Sequence, residues 1–210
     1  AEADSPADKA RAGLILASVA TDPAERRRLY TTAFTHGVVI GPEYEEIGEA
    51  LRELNTDPGS SLVPHLTVDS YQVQSGDSLW ALCNRSFPEA YGVQPEVGLV
   101  RLVNGMRGDT LRVGQTLIVP HDDLTIVVTA RHHGLVAYLG DVVLMSYRVG
   151  LGKQNRTPRG EFTVQVKQEN PSWWKDGQVV PYGDPENVLG TRWMGFENRP
   201  GTSGYGIHGT

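Results

Sequence analysis

The side chains with chemistry to offer are few, and the most informative one lies at the end of the sequence. His208 sits among glycines in Gly204-Tyr205-Gly206-Ile207-His208-Gly209-Thr210. An imidazole there has two readings: a base serving a nucleophile, or a structural histidine at a strand end. The glycines permit close backbone approach and unusual dihedrals. Cys83 is the single thiol. A reactive thiol needs a base or a cationic neighbourhood to ionise. Arg85 is near in sequence but no histidine is, so Cys83, on a helix between apolar neighbours, reads as a small buried hydrophobe. His132-His133 invites a metal reading, yet adjacent strand residues point to opposite faces and rarely share one ion; a hairpin turn is the better assignment. Trp173, Trp174 and Trp193 fit the lining of a sugar or peptide cleft as well as they fit core or loop anchors.

The 210 residues suffice for one large domain or for two or three small ones. An apolar fraction of 39% and a charged fraction of 21% belong to a folded rather than a disordered chain. The net charge of -6 comes from scattered acidic residues and reads as a solvated surface. No basic run or stripe appears, which argues against nucleic acid as a partner. No apolar stretch reaches the roughly 18 residues that span a bilayer; the longest candidate, residues 13–20, is short and flanked by charge. The start Ala1-Glu2-Ala3, without Met, fits a processed chain whose export signal is gone. One cysteine excludes an internal disulfide framework, a Cys-rich zinc site and a CxxC redox motif.

Three patterns follow one another. Residues 1–57 read as three short helices. Ser5-Pro6 and Asp22-Pro23 are N-cap and first-turn signals, Glu25 completes a capping-box spacing with Asp22, and Ile47, Leu51 and Leu54 form one apolar stripe. That stripe is most simply core packing or a partner surface. Residues 58–69 read as a linker, opened by the turn cluster Asp57-Pro58-Gly59-Ser60-Ser61. Residues 70–121 read strand, helix, helix, strand. From residue 122 onward the pattern is β. Runs at 125–131, 135–139, 142–149 and 161–166 are β-branched or alternating and predict consecutive hairpins in an antiparallel sheet, with long loops over residues 169–207. Ordered loops on a sheet are where sites tend to be built.

Tyr71-Gln72-Val73-Gln74-Ser75-Gly76-Asp77-Ser78-Leu79-Trp80 resembles the opening of a LysM domain. Val103-Asn104-Gly105 and Leu111-Arg112-Val113-Gly114-Gln115-Thr116-Leu117-Ile118-Val119-Pro120 resemble its end. The resemblance implies a small βααβ module that binds N-acetylglucosamine-containing glycans. It places the binding groove between Gly76, Asp77, Ser78 and Leu79 on one side and Asn104, Gly105, Met106 and Arg107 on the other. Backbone amides and short polar side chains can read acetamido and hydroxyl groups without a deep pocket. By residue type alone, Gly76-Asp77 is equally a turn with a helix cap. Residues 84–96 are longer and richer in Pro and Tyr than such a module usually is.

The segment 122–210 resembles the YkuD-type L,D-transpeptidase catalytic domain. The matching pieces, in order, are Asp141 to Gly152, Thr157-Pro158-Arg159-Gly160-Glu161-Phe162, Asn170-Pro171-Ser172-Trp173-Trp174, Asn187-Val188-Leu189-Gly190-Thr191-Arg192-Trp193-Met194, and the terminal Gly206-Ile207-His208-Gly209-Thr210. The whole then reads as a multidomain α+β protein: a helical segment, a βααβ module and a mostly antiparallel, β-sandwich-like domain. The resemblance implies that His208 serves a cysteine nucleophile and that a main-chain carbonyl, mapping onto Gly209, orients its other ring nitrogen. The cysteine of the family follows in a Ser-x-Gly-Cys segment, for which no counterpart stands before Thr210. Without that segment, the last domain should leave a sheet edge unpaired.

With that segment, the resemblance implies a cysteine acyltransferase of the bacterial cell envelope. It would form peptidoglycan cross-links on stem peptides, hold glycan strands through the LysM module and need no metal or organic cofactor. Without a nucleophile, the reading falls to a peptidoglycan-bound scaffold, or to an adaptor that recruits a protein partner through the N-terminal helices.

Overall fold

The computed structural model describes residues 5–37, 39, 42–175 and 177–209. The first four residues of the helical segment and Thr210 of the terminal motif lie outside these. Two compact units form, Ala1–Gly150 and Leu151–Thr210.

The first unit opens with helices α1 (Pro6–Val19), α2 (Pro23–Thr35) and α3 (Glu43–Leu54). Side-chain caps set the starts of the first two. Ser5 caps α1 in a reciprocal capping box with Asp8, and Asp22 accepts the Glu25 amide at 2.8 Å. The stripe Ile47, Leu51 and Leu54 is buried, in one cluster with Leu29, Val136 and Val143. Of the two readings of that stripe, core packing is therefore what the structure shows. The other wall of this core is a three-stranded antiparallel sheet, β3 (Leu124–Thr129), β4 (Gly134–Leu139) and β5 (Val142–Arg148), in that spatial order. The approach is tight: a Cβ on Gly48 would sit 2.4 Å from the Ser146 carbonyl oxygen, and one on Gly134 would overlap the Tyr44 ring.

The expected linker is packed rather than free. It holds α4 (Pro58–Ser61), capped by Asp57, then a short 3-10 turn, and it buries Ser61 and Leu62 completely. Two apolar residues in its middle, Leu62 and Val63, pack with Val103, Leu139 and Leu144, and this burial overrides the Pro/Gly/Ser composition.

The βααβ order then appears as expected. Strand β1 (Val68–Gln72) pairs antiparallel with β2 (Thr116–Pro120). Between them run α5 (Leu79–Ala81), one π-turn (Leu82–Ser86), α6 (Phe87–Tyr91) and α7 (Val97–Val103). Their core is Val73, Leu79, Leu82, Cys83, Phe87, Val100, Leu117 and Val119.

In the second unit β6 (Val164–Glu169), β9 (Arg192–Phe196) and β10 (Gly206–His208) form an antiparallel sheet in the order β10-β9-β6. Two expectations change here. The 161–166 run begins its strand only at Val164 and pairs with β9, not with the preceding hairpins. Residues 169–207, expected as long loops, carry β9, β10 and the hairpin β7 (Trp173–Lys175) with β8 (Gln178–Val180). Turn residues dominate the composition there, and only the pairing across 20 or so residues makes strands of the short apolar pieces between them.

Arg27 is the central polar group of the first unit. It is wholly buried, and every partner is neutral: the Ser61 carbonyl at 2.9 Å, the Val143 carbonyl at 2.8 Å, Asn55 Oδ1 at 2.6 Å and the Ser61 hydroxyl at 3.2 Å. Burial pushes its guanidinium down to about 10, still charged at neutral pH. Arg27→Met should cost about 3 to 5 kcal/mol of unfolding free energy, because it strands several buried acceptors at once. Urea titration of both proteins measures it, and a loss below 1 kcal/mol would show that the network is dispensable.

Candidate functional site

Two groups of residues offer chemistry, one in each unit. In the second unit, β10 brings His208 opposite Trp193 of β9. The rings stack with centroids 6.1 Å apart and planes 26° from parallel. His208 Nδ1 lies 2.6 Å from the Gly209 carbonyl oxygen. A carbonyl only accepts, so this contact places a proton on Nδ1; of the two neutral tautomers it selects the one with the lone pair on Nε2, which a general base requires. The side chain is exposed. Gly209 is held in turn, its N–H donating to the Arg192 carbonyl at 3.2 Å.

Glycine is a steric need in this corner. A Cβ on Gly206 would meet the Met194 carbonyl oxygen at 2.4 Å and the Trp193 ring at 2.8 Å; one on Gly195 would meet Trp193 Nε1 at 2.7 Å. Trp193 thus acts as the plate against which both strands close. Neighbouring loops are fixed by local bonds. Asn187 donates to the Pro171 carbonyl at 2.9 Å and accepts the Leu189 amide at 3.0 Å. Arg199 donates to the Glu161 carbonyl at 2.9 Å, lies over the Phe162 ring and pairs with Glu197. The Arg199 partner and a hydrogen bond from the Thr163 amide are among the causes that hold the Glu197 carboxyl below the usual range, the amide being the larger. Among the three tryptophans left open by residue type, Trp193 is an anchor, Trp173 is half-buried beneath Lys175, and Trp174 is 74% exposed.

In the first unit the residues singled out for glycan contact divide into two classes. Asp77 Oδ2 accepts the Gln74 amide at 2.7 Å and the Tyr71 hydroxyl at 2.9 Å, so it clamps its own turn. Gly76 supplies the positive φ of that turn, and Ser78 caps α5. Leu79 is buried in the core. Asn104 donates to the Val100 and Ile118 carbonyls and accepts the Ile118 amide, each at 2.8 Å, which ties α7 to β2. Gly105, Met106 and Arg107, in contrast, line an open groove of about 710 Å³ together with Arg112, Val113 and Gln115. The structure thus gathers three of the eight expected residues, Gly105, Met106 and Arg107, in one groove, and neither Asn104 nor residues 76–79 are part of its lining. Arg112, Val113 and Gln115 were legible as part of the run that resembles the end of a LysM domain, but not as lining of a groove.

Cys83 belongs to the same module's core. Burial, first of all, pushes its thiol up to about 11, with smaller contributions from Glu96 and Asp109. His132 and His133 form the β3–β4 turn. Among the described residues no group of three His, Cys, Asp or Glu side chains gathers as a metal site.

With these geometries in place, comparison with known proteins finds two successive domain matches. Residues 71–120 match the LysM domain, and residues 122–210 match the L,D-transpeptidase catalytic domain of the YkuD type. The chain therefore carries a LysM domain followed by a YkuD-type L,D-transpeptidase domain. It is 44% identical over 91 residues to "Putative L,D-transpeptidase YqjB" of Bacillus subtilis, a stretch covering 42% of this chain and 50% of that protein. It is 28% identical over 149 residues to "Putative L,D-transpeptidase YkuD" of Bacillus licheniformis, covering 67% of this chain and 74% of that one. The chain thus spans half the length of the Bacillus subtilis relative. No solved structure matches it.

Two measurements check the structural roles assigned here. Asn104→Ala removes two bonds from the end of α7 to β2 and one back to Val100 within α7, and should cost about 2 kcal/mol or more in denaturant titration. A change within a few tenths would return Asn104 to the surface. With its pKa near 11, Cys83 should stay unmodified by a thiol reagent at about pH 8 in the native protein and react at once in denaturant. Rapid labelling of the native protein would contradict the core assignment.

Proposed function

We propose that this chain is the substrate-holding and base-bearing portion of a peptidoglycan L,D-transpeptidase of the bacterial envelope. The observation that carries the reading is the His208 Nδ1 to Gly209 carbonyl contact of 2.6 Å, inside the segment that matches the catalytic domain. Acyl transfer needs a nucleophile, a base and donors for the oxyanion. His208 Nε2 takes the proton of a cysteine thiol. The thiolate attacks the carbonyl of the third, diamino-acid residue of a tetrapeptide stem, the C–N bond to the terminal D-alanine breaks, and the protonated imidazole returns its proton to the departing amine. The acyl group then passes to a side-chain amine of an acceptor stem. Cys83 is not that thiol, since it is buried in the LysM core.

The LysM module holds the enzyme on its polymer and raises the local concentration of stems. Among the described residues no helix is long and apolar enough to cross a membrane. An extracytoplasmic location rests instead on where a peptidoglycan substrate lies.

The test uses protein purified from its natural source, with its C-terminus sequenced. Incubated with a tetrapeptide-stem muropeptide, it should release D-alanine and form dimers by mass spectrometry. His208→Ala should lower that rate about 100- to 10,000-fold. A natural chain with no cysteine beyond His208, which binds peptidoglycan sacculi but releases no D-alanine, would overturn the enzymatic reading in favour of a scaffold.

A further inference from the structure

The groove of the LysM module has a chemical bias that its glycan-binding reading does not require. Two arginines, Arg107 and Arg112, line it. Gln115, also in the lining, accepts the Arg112 amide on its carboxamide oxygen at 3.2 Å and directs its NH2 at the Met106 sulfur, 4.0 Å away, which leaves one N–H as a further donor. The one carboxylate in the sequence between Gly105 and Gln115 is Asp109, and it is drawn to Arg101 at 3.3 Å. The lining therefore offers donors and positive charge, set in a chain whose net charge is -6. Met106 and Val113, the latter 72% exposed, add an apolar wall. A neutral N-acetylglucosamine polymer has acceptors enough for a few amide donors. Two arginines answer a different group, because a guanidinium matches a carboxylate with two parallel hydrogen bonds.

We propose that Arg107 and Arg112 make this groove selective for glycan that carries carboxylates, as peptidoglycan does on its stem peptides and, where stems have been removed, on its lactyl groups, over neutral N-acetylglucosamine polymers. The pyranose face or acetamido methyl lies against Met106 and Val113, and the carboxylate lies between the arginines. The selectivity is electrostatic and largely exposed, so salt weakens it. This inference rests on the glycan-binding reading of residues 71–120 and names the substrate class for that site.

The experiment is calorimetric titration of the full chain with three probes: a neutral N-acetylglucosamine hexamer, peptidoglycan strands stripped of stems by an amidase, which frees lactyl carboxylates, and disaccharide-tetrapeptide muropeptides. At low salt at least one carboxylate-bearing probe should bind about tenfold tighter than the hexamer, and the advantage should shrink at about 0.5 M salt. Whichever probe shows it identifies the lactyl or the stem carboxylate as the source. The double variant R107Q/R112Q should bring that probe down to the hexamer's affinity, whereas R107K/R112K keeps most of the preference, which separates lost charge from lost folding. Equal affinity for all three probes would overturn the selectivity and leave glycan binding standing, as would a preference that survives R107Q/R112Q. Binding of none of them would overturn the glycan-binding reading and this inference with it.

Discussion

Among the described residues, the first unit depends on a buried cation, Arg27, with no buried anion beside it. Arg27 leaves α2 and donates to the α4 carbonyl of Ser61, to the amide oxygen of Asn55 at the end of α3, and to the Val143 carbonyl of β5. Removing a guanidinium from water is costly, and only several well-formed hydrogen bonds offset it. The four acceptors must therefore stay in register, which couples two helices, a connecting turn and a strand. The same neighbourhood settles the edge of the sheet. β5 is one of the two outer strands of β3-β4-β5, and besides the bond from Arg27 its Val143 amide donates to the Thr31 hydroxyl at 3.0 Å and its Leu144 carbonyl accepts from the Asn55 amide at 3.1 Å. An outer strand with open hydrogen-bonding groups is a template for wrong pairing. Here side chains of the helical segment occupy such groups.

That arrangement changes what the N-terminal helices are for. By pattern alone their stripe suited a partner as well as a core. Ile47, Leu51 and Leu54 lie against strands of the segment that matches the catalytic domain, so the helices are part of the support of that sheet. Ile15, Leu16 and Val19 remain exposed on α1, so this helix shows solvent an apolar run that the core does not use.

Much of this was legible in the chain, for physical reasons that differ by element. Caps and prolines act within one turn, so the starts of α1 and α2 could be read from four residues each. The ends of the βααβ module were legible because its turn chemistry, such as the positive φ at Gly76, depends on local residue type. What escaped was non-local. Nothing in Thr-Val-Gln-Val-Lys announces that β6 will pair with Arg192–Phe196 instead of with the hairpins before it. Arg27 is one of three successive arginines, and the sequence does not say which of Arg26, Arg27 and Arg28 turns inward. His208 could be named from its neighbours, but the plate that Trp193 forms against it comes from strand register.

The same division explains how the LysM module uses its polar residues. Asp77 and Asn104 are the side chains that residue type would first assign to a sugar, and the fold commits both to its own backbone. The Asn104 amide, with both N–H groups and its oxygen engaged by Val100 and Ile118, has little capacity left for a ligand, whereas Asp77 is held through one oxygen alone. On the proposed reading, recognition falls to groups that the fold leaves exposed: the backbone around Gly105 and the side chains of Arg107, Arg112 and Val113. Because such side chains lie at the surface, changing them alters what the groove selects with small cost to folding. A module built this way can keep its architecture while its ligand chemistry varies at a handful of positions.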